Sequence, residues 1–165
     1  MIMNQDYAIP YSKGTIIVSS ENGNEHRLLN DSPFPAYQFR IDGEKNNSGK
    51  PKAAYAHGTQ PERCDFVVEI DGKETLSRLY VIELKGSNLS KALSQIETTI
   101  QSIKKDKGLF SGFNPKLHEF YPRVVIHRVN THAINQAERL KLKKEYPNLV
   151  IKCKKLEEKV SAPAK

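Results

Sequence analysis

Three charged residues in the middle of the chain have types and spacing that could do chemistry: Asp65 in CDFVVEI, and Glu83 and Lys85 in VIELKG. An acid and a lysine two residues apart in an extended strand share one face, while Ile82 and Leu84 point the other way into apolar packing. Positions 65 and 83 are symmetric about 74, so a hairpin turning there sets Asp65 opposite Glu83, on the same face of the sheet. Two carboxylates held together repel unless a cation lies between them. Hard oxygen donors of this kind suit Mg²⁺ or Mn²⁺, which keep several waters and accept phosphate oxygens from a substrate. The backbone carbonyl of Leu84 adds a neutral ligand. A lysine beside such an ion orients or helps deprotonate a water and stabilises charge in the transition state. The chemistry that needs this set is metal-assisted phosphodiester hydrolysis.

The elements that must position these groups are legible from Arg63 onward. CDFVVEI (64–70) and RLYVIELKG (78–86) are rich in β-branched residues and flank the polar connection DGKETLS, which predicts a hairpin. Leu89, Leu93, Ile96, Ile100 and Ile103 recur at steps of four and three, the buried stripe of an amphipathic helix, with Asn88 as its cap and Lys104, Lys105 and Lys107 at its negative end. A strand (123–129), a helix (133–146) stopped by Pro147, and a strand (149–155) follow. Upstream, 14–20 and 36–42 read as strands, 24–30 as a short helical turn, and 43–62 as a long polar loop. The tail from 159 to 165 reads as disordered. The order of elements predicts an α/β sandwich with a mixed sheet.

The same residues resemble the PD-(D/E)XK nuclease superfamily, whose members include restriction enzymes and Holliday junction resolvases. The family carries an aspartate on one strand of a hairpin, an acid-x-lysine on the next, and often a glutamine on the following helix. The matching positions are Asp65, Glu83-Leu84-Lys85 and Gln95, and the resemblance covers about residues 61 to 155. It implies a restriction-endonuclease-like α/β sandwich, a central mixed sheet flanked by helices, as one domain over 1–158. It also implies an Mg²⁺- or Mn²⁺-dependent deoxyribonuclease, with Asp65 and Glu83 as ligands, Lys85 positioning the water and Gln95 supporting. Many members add an acid upstream, for which Glu25 is the first candidate, with Glu21 and Asp42 behind it. A homodimer, and a role in phage defence, mobile elements, recombination or repair, are implied by the resemblance alone.

Composition agrees with an anionic partner: the formal net charge is +7 and the pI is near 9.3. Lys50, Lys52 and Arg63 border the loop entering the hairpin and are the candidate phosphate contacts. The basic run from Arg139 to Lys155 reads as a solvated face or a second DNA surface. With no apolar stretch approaching ~20 residues and no secretory signal, a cytoplasmic protein without a membrane span is expected. Cys64 and Cys153 form no metal-binding pair and read as small core residues. The alternative function is a catalytically degenerate module of the same fold that binds nucleic acid or a partner protein.

Overall fold

The computed structural model describes residues 1–43, 51–73, 75–127 and 133–161. The first half holds strands β1 (Ala8–Tyr11), β2 (Ile16–Glu21), β3 (Asn24–Asp31), β4 (Ala36–Arg40), and the two-residue β5 (Asp42–Gly43) and β6 (Tyr55–Ala56). The second runs β7 (Phe66–Ile70), β8 (Ser77–Lys85), α1 (Leu89–Lys105), β9 (His118–Ile126), α2 (Ala133–Glu145), β10 (Val150–Cys153) and β11 (Lys155–Ser161). Six strands form a mixed sheet in the order β1-β4-β7-β8-β9-β10. It is antiparallel from β1 to β8 and parallel from β8 to β10. β11, β3 and β2 form a second, three-stranded sheet.

β8 is covered on both faces, which is why it is apolar almost throughout. Leu79 and Val81 join the core under α1 and α2, and Tyr80, Ile82 and Leu84 join the core under the three-stranded sheet. The stripe Leu89, Leu93, Ile96, Ile100 and Ile103 is buried, each side chain worth about 1.5–3 kcal/mol. Asn88 caps α1 by accepting the Lys91 N–H at 2.9 Å. At the hairpin turn a Cβ on Gly72 would lie 2.6 Å from the Leu76 carbonyl oxygen, so only glycine fits.

A mixed α/β architecture with a large mixed sheet and two helices is as expected. The flanking is not: both helices lie on one face, and a sheet covers the other. The reason is β3. NEHRLLN, expected as a helical turn, is a strand whose alternating residues Asn24, His26, Leu28 and Asn30 are buried while Glu25, Arg27 and Leu29 are half-buried. Pairing with β2 on one side and β11 on the other overrides its weak local preference. β9 begins at His118, earlier than expected, and passes through Pro122; β10 has not yet begun there, so the proline sits on an open edge.

The tail also differs from expectation, since Lys159, Val160 and Ser161 belong to β11, while 162–165 lie outside the described residues. β11 is anchored by a staple across the sandwich. Arg123 on β9, 5% exposed, donates to both carboxylate oxygens of Glu158 at 2.6 and 2.9 Å, and the His26 ring on β3 meets the same carboxylate at 2.6 Å. Cys153, expected in the core, is exposed on the end of β10. Among the described residues no helix is long and apolar enough to cross a membrane.

Burial works against the Glu158 anion, but the His26 and Arg123 hydrogen bonds outweigh it and hold its carboxyl below the usual range. Glu158→Ala strands Arg123 in the interior and should cost about 3 kcal/mol in urea unfolding. Because the folded value is the lower one, this contribution is present above the ordinary glutamate range and is lost as pH falls through the folded value. The wild-type advantage over Glu158→Gln should therefore shrink on acidification.

Candidate active site

The β7–β8 register is symmetric about position 74, from Ile70 opposite Arg78 to Phe66 opposite Ile82. One further step brings Asp65 beside Glu83. β7 ends there as a ladder: the Asp65 carbonyl turns away to accept the Ile41 N–H at 2.9 Å. Its side chain takes over the pairing, and Oδ2 accepts the Leu84 N–H at 2.9 Å. In an extended strand the N–H and C=O of one residue point to the same neighbour, so the Leu84 carbonyl faces the edge that Asp65 occupies.

Glu83 follows Leu79 and Val81 on the helix-side face and is 0% exposed, whereas Asp65 is half-buried. The fully buried Cys64 feels both charges: burial pushes its thiol well above the usual range, and the negative charges of Glu83 and Asp65 push the same way. Lys85 closes β8 two residues after Glu83, and its backbone pairs with Ile126.

A polar stripe on α1 holds the chain entering β7. Gln95, 4% exposed, donates from Nε2 to the Arg63 carbonyl at 3.1 Å, and its Oε1 meets no hydrogen-bond donor among the described residues. Thr99 Oγ1 accepts the Cys64 N–H at 2.8 Å, and Ser102 Oγ accepts from Arg63 Nε at 2.9 Å. Residues 95, 99 and 102 lie one above another on a helix, so one flank of α1 clamps the segment that ends in Asp65. Thr99 and Ser102 were missed from sequence, although small polar residues at that spacing beside the apolar stripe are the signal; Cys64, expected in the core, is buried there.

The remaining candidates do not join the pair. Glu25, expected as a further metal ligand, is excluded: it lies on β3 in the other sheet, where its carboxylate meets Arg27 Nε at 2.5 Å and Lys155 Nζ at 3.7 Å. It sits on the half-buried outer positions of that strand, with the six-stranded sheet between it and the Glu83 face. Glu21 is engaged by Arg40 at 2.5 Å, and Asp42 lies 3.4 Å from His57. Lys50 lies outside the described residues. Lys52 is exposed, with its backbone N–H on the Asp6 carbonyl at 3.2 Å. Arg63 is a brace: its guanidinium lies 3.7 Å from the Tyr55 ring centroid and donates to the Pro61 carbonyl at 2.9 Å.

Among the described residues no three histidine, cysteine or acidic side chains converge on one point. The oxygens that could hold a cation are the two carboxylates, Asp65 and Glu83, with the Leu84 carbonyl. All are hard oxygens, and their number suits an ion that retains waters, as Mg²⁺ does. Comparison with protein-family models, with curated proteins and with solved structures returns no match to this chain.

The Asp65–Leu84 bond can be tested by stability alone. Asp65→Ala leaves the Leu84 N–H without an acceptor and should lower unfolding free energy by about 1–3 kcal/mol. Asp65→Asn keeps a side-chain oxygen in place and should unfold close to wild type.

Proposed function

We propose that the chain is a metal-dependent phosphodiesterase. Within that class, its chemistry fits best a nuclease that hydrolyses DNA. The observation that carries this reading is the approach of Asp65 to Glu83 at the end of the β7–β8 ladder, with the Asp65 carboxylate on the Leu84 N–H at 2.9 Å. A buried carboxylate with a second one at the end of the neighbouring strand offers hard oxygens of the kind a divalent cation takes.

In this reading Asp65, Glu83 and the Leu84 carbonyl would hold Mg²⁺ or Mn²⁺. The ion would polarise a phosphoryl oxygen and lower the pKa of a bound water. Lys85 orients the attacking water and balances the charge that builds on the phosphoryl oxygens as the ester oxygen leaves. Gln95 acts as a positioning residue, because its bond to the Arg63 carbonyl holds the chain two residues ahead of Asp65. The degenerate binding module remains the second reading, favoured by the engagement of Glu25 with Arg27 and Lys155, which leaves two acids where many family members have three.

Linear, circular, single-stranded and branched DNA, with RNA as comparison, should be cut in Mg²⁺ or Mn²⁺ and left intact in EDTA. Asp65→Asn, Glu83→Gln and Lys85→Ala should each lower the cleavage rate by about 10²–10⁴. Independently of activity, millimolar Mg²⁺ should raise the melting temperature of the wild type and not that of Glu83→Gln. Full cleavage by Lys85→Ala would refute the assigned roles. Salt-sensitive binding without any cleavage would select the second reading.

A further inference from the structure

A cavity of about 360 Å³ opens between the two sheets at the end of β8 away from Asp65 and Glu83. Arg78, which lines it, is separated from Lys85 by about 23 Å of strand, so this space is distinct from the proposed metal site. Phe34, Ile70, Leu76 and Val160 make its apolar wall, and Tyr121 lines it as well. Ile70 and Val160 are buried, whereas Leu76 is 58% exposed. A space of this size, apolar in the main and carrying a few polar groups, is what small-molecule sites offer.

The charged groups of the lining are Arg78 and Glu119. They are register partners on the parallel strands β8 and β9, so their side chains leave the sheet side by side, on the face that also carries Tyr80 and Tyr121. Neighbours of opposite charge at such positions can pair directly. These do not: among the described residues no carboxylate makes an ion pair with the Arg78 guanidinium, and no lysine or arginine makes one with Glu119.

Both groups are nevertheless held in place. The Arg78 guanidinium lies 5.9 Å from the Tyr121 ring centroid, and that ring stacks on the buried Tyr80 at 5.2 Å. Glu119 accepts the Tyr121 hydroxyl at 2.9 Å on one oxygen and the Asn148 amide at 3.3 Å on the other. A carboxylate has about four acceptor sites, so Glu119 keeps capacity for a further donor, as the guanidinium does for an acceptor.

The described lining thus carries one charge of each sign beside an apolar space. A simple anion would satisfy Arg78 and be opposed by Glu119, and a simple cation the reverse. A zwitterion satisfies both, since a carboxylate matches the guanidinium fork and an ammonium matches the glutamate. An α-amino acid bears these two groups on one carbon, with its side chain free to enter the apolar space. We propose that the cavity between the sheets binds a free α-amino acid with an apolar or aromatic side chain, its carboxylate on Arg78 and its ammonium on Glu119. The site stands apart from the nuclease reading and does not rest on it.

The test is titration calorimetry, with melting temperature as a second readout, using L-leucine and L-phenylalanine as probes. Both should bind and raise the melting temperature. Phenylpropanoate, which lacks the ammonium, and phenethylamine, which lacks the carboxylate, should each bind about tenfold to hundredfold more weakly than L-phenylalanine. Glycine, with the same head and no side chain, should bind at least about tenfold more weakly than L-leucine. Arg78→Gln and Glu119→Gln should each lose affinity for L-phenylalanine by a similar factor, while melting without ligand close to wild type. Arg78→Lys should recover part of the loss, and Glu83→Gln should bind as the wild type does. The ligand series needs no variant, so it decides the matter even where a substitution disturbs folding. No binding of either amino acid at millimolar concentration, or phenylpropanoate or glycine binding as tightly as the matched amino acid, would overturn the inference. Wild-type affinity in Arg78→Gln and Glu119→Gln, or loss of binding in Glu83→Gln, would overturn it equally.

Discussion

The hydrogen bond from the Leu84 N–H to the Asp65 carboxylate marks where the β7–β8 ladder ends and the site begins. β8 is two-sided and central, so each backbone group along it needs a partner. β7 supplies partners as far as Phe66. Beyond that point a side chain substitutes for a strand, and the substitute is an acid that must stand beside a second, buried one. The burial of Glu83 in the core and the satisfaction of the Leu84 N–H meet at this one point of the sheet.

That arrangement needs support from behind, and α1 supplies it. Its apolar stripe buries the helix on the sheet, while Gln95, Thr99 and Ser102 on the adjacent flank bond to Arg63 and Cys64. The helix thus fixes the approach of the chain to Asp65 with three side chains that are not themselves charged. Arg63 joins the same brace through Tyr55 and Ser102.

The opposite face is closed by a sheet held through buried charge. Arg123, Glu158 and His26 each come from a different strand, β9, β11 and β3, so their contact fixes how the two sheets sit on one another. Lys154 is the covalent counterpart of that staple, the residue at which the chain crosses between the sheets.

Residues 63–105 were the legible part of the chain. The apolar run of β8, the symmetry of positions 65 and 83, and the four-three spacing of α1 are local patterns, and each fixes its own geometry without reference to distant residues. The same patterns set Asp65 opposite Glu83 across the hairpin and Gln95 on the flank of the helix that follows. What lay beyond the sequence was the three-stranded sheet. NEHRLLN becomes a strand only because β2 and β11 lie on either side of it, and the tail becomes β11 only because Glu158 meets Arg123 and His26. Glu25 could be excluded for the same reason, since its distance from the site is a consequence of which sheet it joins. Periodicity and hairpin symmetry act within a few residues of chain; pairing between residues 24–31 and 155–161 is decided by burial and charge across the folded molecule.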